Sequence, residues 1–281
     1  MSRLIQLLRQ IQAAETIKKT TNAMRLIAMT NHMRLRQNTQ EVEAYKIKLE
    51  EWLSTITDLG RSVPRVPDTA PTPKKTLYVV VGSQKGLCGM FNVQLATFAK
   101  KEMTGTFPPD VLIIGKHMRD TLRYQGVEPI IAHDEFNTKS LFAIASNIAQ
   151  LILAPTYKYV RLFYTKPKTF FVHERESHIF YRSTYMTTCA NPDANPYNWE
   201  QPFQETFNAV ANLTLKAQLE YMFMSSLLAE AASRFLSMDS ATRNADDLIS
   251  SMRIDYNKLR QTAITRELID LSGSFMSDVV S

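Results

Sequence analysis

Glycine and proline are missing from both ends of this 281-residue chain. Neither occurs from Met1 to Leu59, and neither occurs from Phe203 to Ser272. All 12 prolines lie between Pro64 and Pro202, and all of the 8 glycines but Gly273 lie between Gly60 and Gly126. These residues disfavour a helix interior more than any others. Their absence predicts two uninterrupted terminal helices, roughly 90 and 105 Å long at the α-helical rise, at least one projecting beyond a middle domain that holds everything irregular. Cysteine is equally sparse. Cys88 and Cys189 are far apart and belong to no CxxC pair, which excludes a disulfide framework or a zinc site and leaves reduced thiols as the expectation. No apolar run approaches the roughly eighteen residues of a membrane span. The polar, basic N-terminus is not expected to act as a secretory signal.

What is present is unevenly placed. From Met1 to Gln40 the bases Arg3, Arg9, Lys18, Lys19, Arg25, Arg34 and Arg36 face one acid, Glu15, a surplus equal to the formal charge of +6 for the whole chain. From Phe203 onward acids outnumber bases. A basic helix seeks carboxylates, phosphates or anionic lipid, or is simply a solvated face.

The C-terminal segment carries a heptad seam. Met224, Leu228, Ala231, Phe235, Met238, Thr242, Ala245, Ile249, Met252, Tyr256, Leu259 and Ala263 follow in alternating steps of four and three, and Thr242 alone breaks the apolar character. Such a repeat implies supercoiling around a partner helix. Leu4, Leu7, Ile11, Ala14, Ile17, Thr21, Met24 and Ile27 form the answering stripe, which fades after Met33 and resumes at Val42, Tyr45, Leu49, Trp52, Leu53 and Ile56. A short middle domain between the two helices favours pairing of the chain's own ends, antiparallel. The methionines of these helices read as core filler.

Residues 61–75 hold Pro64, Pro67, Pro71 and Pro73 and read as an extended linker. The period then changes. Leu77–Val81 is a continuous apolar run, expected for a buried parallel strand. Val111–Ile114, Pro129–Ala132 and Tyr159–Thr165 are further strands, separated by helical stretches, and Phe170–Tyr185 supplies one or two more with a turn near Glu174. The alternation predicts a small doubly wound α/β domain over 76–200, between a shaft helix at 1–60 and another at 203–281.

Most candidate chemistry fails on spacing. The stretch Gly82 to Gly89 follows a strand and opens a helix, where a phosphate loop would sit. It lacks the Lys-Ser/Thr of a P-loop and the GxGxxG spacing, so a packing turn is expected. His173 and His178 are five residues apart, not the four of a zinc-protease helix, and read as part of a solvated turn. His32, His117 and His133 are isolated in sequence, and no catalytic pair stands out.

Three motifs carry a resemblance. The run Ala229-Glu230-Ala231-Ala232-Ser233-Arg234-Phe235, continuing through Met238 and Ala241-Thr242-Arg243-Asn244-Ala245 to Tyr256–Leu268, closely resembles the C-terminal signature of the gamma subunit of F-type ATP synthase. Gly86, Leu87, Cys88 and Gly89, followed by Asn92, resemble the family's other motif, and Ala23-Met24 with Ile27-Ala28 its N-terminal one. The resemblance runs end to end. It implies a rotor: a non-catalytic shaft, one copy per complex, standing in a ring of three alpha and three beta subunits. Its α/β foot rests on the c-ring and binds the epsilon subunit. ATP, ADP and magnesium are held by partner subunits and no cofactor by this chain. The complex is peripheral, on the cytoplasmic face of a bacterial inner membrane or the mitochondrial matrix side. Residue by residue, Arg260, Gln261, Thr265 and Glu267 would meet the beta catch loop, and Met24 and Arg25 the beta lever region.

The sequence departs from the family pattern at Asn22, Met29-Thr30-Asn31, Gln84-Lys85 and Ala231. An F1-like hydrolysis motor with different partners is therefore an alternative within the same architecture. A homodimeric coiled coil binding nucleic acid through the basic helix is the rival outside it, as is an α/β enzyme with a site at Gly82–Gly89. No nucleic-acid reader motif accompanies the basic residues.

Overall fold

The computed structural model describes residues 2–60, 75–103, 110–185 and 201–279. Most of the expected proline-rich linker, the end of the expected foot domain and Cys189 lie outside the described residues. Helix α1 spans Ser2–Gly60 and helix α6 spans Phe203–Val279. Between them come β1 (Thr76–Val81), α2 (Phe91–Glu102), β2 (Asp110–Ile114), α3 (Lys116–Tyr124), β3 (Ile131–His133), α4 (Leu141–Leu153), β4 (Tyr159–Pro167), β5 (His173–Phe180) and the single turn α5 (Arg182–Tyr185). The chain divides into two compact units: Met1–Ala28 with Phe235–Ser281, and Met29–Arg234.

The larger unit is built on a five-stranded sheet in the order β3-β2-β1-β4-β5. β1 pairs in parallel with β2 and β4, β2 with β3, and β5 closes the edge antiparallel to β4. β1 reads as an unbroken apolar run because both its faces are covered. Leu77, Val79 and Val81 join a core made with α4, the second half of α1 and the first part of α6. Tyr78 and Val80 face the other way, onto Leu95, Ala96 and Ala99 of α2 and Met118 and Leu122 of α3. Helices on both faces, with β2 and β4 flanking β1, make this a doubly wound sheet. Its strand order reverses at the carboxyl ends of β1 and β4.

Two expectations need correction here. The hairpin turn falls at 168–172, before Glu174. Lys168 N–H donates to the Val172 carbonyl at 2.9 Å, and the Thr169 hydroxyl oxygen accepts from the N–H groups of Phe171 and Val172. A threonine that satisfies two amides is a better turn former than a glutamate. The stretch His173–His178 is consequently strand, not solvated turn. Glu174 and Glu176 lie opposite Lys166 and Tyr164 in the β4–β5 ladder, and Tyr164 donates its hydroxyl to Glu176 at 2.7 Å.

Close approach explains the glycines at the strand ends. A Cβ on Gly82 would sit 2.3 Å from Cβ of Met118. Gly115 adopts φ +101°, and a Cβ there would meet the Ser83 carbonyl oxygen at 2.6 Å, whereas Gly126, at φ +82°, has open space around it. Gly126→Ala should therefore cost about 1–2 kcal/mol, the left-handed backbone penalty alone. Gly115→Ala should cost about 3 kcal/mol or more, because overpacking adds to it. Urea unfolding of the two variants, followed by circular dichroism, measures the difference.

Candidate functional site: the loop after the first strand and the paired helices

The loop at the switch point is organised around Asn92, at the start of α2. Its Oδ1 accepts from the Ser83 N–H at 3.0 Å, and its Nδ2 donates to the Ser83 hydroxyl at 2.7 Å. Cys88 is buried beside them, its Sγ 3.6 Å from both Ser83 Oγ and Asn92 Nδ2. Burial pushes the Cys88 thiol up, the Ser83 hydrogen bond opposing only in part, so this is an inert thiol. Gly86 packs so closely on His117 that a Cβ would lie 3.3 Å from its ring. Leu87 and Gly89 both take positive φ, 64° and 58°. The Leu87 side chain points to solvent, with 55% of it exposed.

What seats on this loop is α6 of the same unit. Ser226 donates to the Val81 carbonyl at 3.2 Å. Ala229 fills the space beside Cys88 and Phe91. One turn on, the Arg234 guanidinium donates to the Gly86 and Lys85 carbonyls, each at 3.2 Å, and pairs with Glu230. Glu230 is buried, and burial raises its carboxyl above the ordinary range while Arg234 pulls the other way. The loop's carbonyls are taken up by an arginine that is itself paired with a buried carboxylate. Gly86, Leu87, Cys88, Gly89 and Asn92 are thus brought together as a seat for α6. Sequence reasoning carried Glu230 and Arg234 within the C-terminal motif and gave them no role of their own. The available signal was an acid and a base four residues apart inside a run of alanines and serine.

In the smaller unit the two helices run antiparallel, because residue numbers fall on α1 as they rise on α6. Arg25 pairs with Asp239 and Lys18 with Asp246, both at 2.7 Å, and Glu15 with Arg253 at 2.6 Å. On α6, among residues 243–269, only Ala245, Ile249, Met252, Tyr256, Leu259 and Ala263 are buried or half-buried. Thr242, the polar break in the seam, bonds across to the Thr21 hydroxyl at 2.9 Å. Phe235 and Met238 lie in the same seam, half-buried and buried; Met224 and Leu228 belong to the larger unit and are buried in its core.

The stripe on α1 differs from the apolar reading at two positions. Ile17 and Ile27 are 57% and 61% exposed. The covered positions keep strict heptad spacing through Leu4, Leu7, Ile11, Ala14, Lys18, Thr21, Arg25 and Ala28. Beyond them, in the larger unit, the same phase continues through His32, Leu35, Thr39, Val42, Lys46, Leu49, Leu53 and Ile56, leaving Tyr45 and Trp52 exposed. Lys18 and Arg25 occupy covered positions and place their charges on acids of the partner helix, as long amphipathic side chains can. Arg25 is the case in point: its hydrogen bond is the first cause holding the Asp239 carboxyl below the usual carboxylate range. Met24 is half-buried beside it, while Arg260, Gln261, Thr265 and Glu267 are exposed, outside the seam. The Thr265 hydroxyl bonds back to the Gln261 carbonyl at 2.9 Å.

A family model described as ATP synthase matches residues 3–277. The chain belongs to the ATP synthase gamma-subunit family. It is 28% identical over 280 residues to the ATP synthase gamma chain of Clostridium botulinum (strain Hall), with 96% of each chain covered. It is 29% identical over 276 residues to that of Clostridium acetobutylicum, again with 96% of each covered. Its fold resembles a chain of the central stalk and c-ring of the Tetrahymena thermophila mitochondrial ATP synthase, with TM-score 0.61, 19% identity and coverage of 79% and 99%. A chain of the Euglena gracilis mitochondrial ATP synthase gives TM-score 0.57 at 12% identity, covering 91% and 95%. The sheet and the long terminal helices match the fold of these solved neighbours.

Removing Arg234 from this gamma-family fold leaves Glu230 buried without its cation. Arg234→Ala should cost about 3–5 kcal/mol, and Glu230→Gln less. A carboxyl whose pKa is raised by folding stabilises the folded state at low pH and loses that contribution as pH rises through the folded value. The deficit of Arg234→Ala should accordingly shrink as the solution is acidified, in denaturant titrations run across the carboxylate range.

Proposed function

We propose that the chain is the central rotor shaft of an F-type ATP synthase, a non-catalytic subunit whose rotation drives the beta subunits through different affinities for nucleotide. The observation that carries the reading is the narrowness of the seam. Over residues 243–269, α6 uses one stripe to hold α1 and presents the rest of its circumference to the outside, as a shaft enclosed by other subunits requires. Exposed apolar residues there, Ile254, Ile264, Leu268 and Ile269, alternate with charged ones. Such a surface suits a bearing that makes few tight ion pairs.

The contacts carried over from the family resemblance are compatible with the exposure of Arg260, Gln261, Thr265 and Glu267. Arg260, Gln261, Thr265 and Glu267 are assigned to the beta catch loop, and Met24 with Arg25 to the beta lever. Arg25 already braces α6 through Asp239, so its part is to present a fixed guanidinium. The epsilon subunit and the c-ring are assigned to the sheet unit. The relatives' gamma chains and the neighbours' central stalk support membership of such a complex, peripheral to the membrane; no helix among the described residues is long and apolar enough to cross one. Nucleotide and magnesium belong to the partner subunits in this reading, since the switch-point loop is taken up by Arg234.

The test is made in the purified complex. One copy of this chain should be recovered for every three copies of each of two larger nucleotide-binding subunits; recovery as a free homodimer or with nucleic acid rejects the shaft. Arg260→Ala and Glu267→Gln should lower the ATP-driven ion-pumping rate about two- to fivefold, the range expected for exposed ion pairs. The thermal stability of the isolated chain should not change, because neither side chain touches its own fold.

A further inference from the structure

Three of the 5 histidines converge on the β4–β5 hairpin. His32 on α1 is buried, and its ring meets Phe170 edge-on with centroids 4.8 Å apart. Phe170 is in the hairpin turn. His173 opens β5, with Nδ1 3.2 Å from the Ser233 hydroxyl on α6. Its Nε2 is buried without a hydrogen-bond partner. Contacts thus run from α1 through the turn and strand to α6, by way of two imidazoles.

Among the described residues, the charges acting on these two rings are all of one sign. Arg36 on α1 acts on His32, and His32 and Arg175 act on His173; among the described residues no carboxylate acts on either. Glu230 and Arg234, which flank Ser233 on α6, are paired with each other. His178, farther along β5, is different: Glu50 and Glu176 both face it, alongside Lys46. Burial is the first cause holding His32 and His173 below the ordinary histidine range, and the cations add to it. The Phe170 backbone offsets part of the effect at His173.

We propose that His32 and His173 form a proton-sensitive clasp: as neutral rings they hold the hairpin turn between α1 and α6, and protonation in mildly acidic solution releases it. Two imidazolium ions here would face each other, Arg36 and Arg175 with no counter-ion. Lifting the turn hydrates them at the least disturbance, because Phe171 and Val172 beside them are already 69% and 51% exposed. The sign follows from linkage. A histidine whose pKa is lowered by folding leaves stability intact above its ordinary value and removes it as pH falls below. The clasp is a property of the sheet unit and does not depend on the rotor reading.

Amide hydrogen exchange in the full-length chain tests it, with rates corrected for the intrinsic effect of pH. Between about pH 8 and about pH 5.5, protection of the backbone amides at 168–173 should fall about tenfold or more, while β1 and α4 keep theirs. The double variant His32→Gln/His173→Gln should show less than about a twofold change over the same interval. Absence of an acid-induced loss in the native chain overturns the clasp, as does the same loss in the double variant. If the double variant does not fold, His32→Gln alone decides. The clasp requires the loss to shrink about threefold or more, and an undiminished loss overturns it.

Discussion

The sheet unit depends on one stretch of α6, from Ser226 to Arg234. A doubly wound sheet leaves a crevice where its strand order reverses, and many such folds place a ligand there. This chain places its own helix there. Small side chains let the helix come close. Ser226 reaches the end of β1, Ala229 lies against Cys88 and Phe91, and Arg234 takes the carbonyls of the following loop. A crevice that would otherwise bind a small molecule becomes a joint. The Gly-Leu-Cys-Gly sequence reads as a joint component: Gly86 admits His117, Gly89 turns the chain, and Asn92 ties the turn to Ser83.

The strands of the sheet were legible because β1, β2 and β4 are covered on both faces and so appear as apolar runs. The hairpin was legible in kind and misplaced in detail. Glutamates and histidines around residue 174 look like turn residues, but in a two-stranded edge they pair with Lys166, Lys168 and Tyr164, and a threonine shapes the turn. The length of the terminal helices followed from the absence of breakers. That the ends pair with each other, and not with a second chain, rested on the shortness of the middle domain; cross-pairs such as Arg25 with Asp239 cannot be seen in a one-dimensional pattern.

The seam on α6 was readable and the one on α1 only half so, for a single reason. Periodicity analysis counts apolar residues, and α1 fills several covered positions with lysine, arginine, threonine and histidine. Ile17 and Ile27 were attractive because they are hydrophobic, yet they lie one residue off the phase kept by Lys18 and Ala28. The same blindness hid the role of Glu230 and Arg234, quoted only as part of a motif, whose meaning comes from the loop that Arg234 reaches. Where polar groups are buried, the partner and not the residue type carries the information.

The polar seam positions also give the paired helices a mixed mechanical character. Through Leu4, Leu7 and Ile11 the covered positions of α1 are apolar, and contacts of that kind are hardly affected by dissolved ions. Between Glu15 and Arg25 the helices are held by hydroxyls and by charges partly open to water, which mobile ions screen. Bending stiffness is therefore not uniform along the pair: ionic strength softens the ion-paired segment and leaves the oily one unaltered, so the surrounding electrolyte sets where a load would make the pair flex.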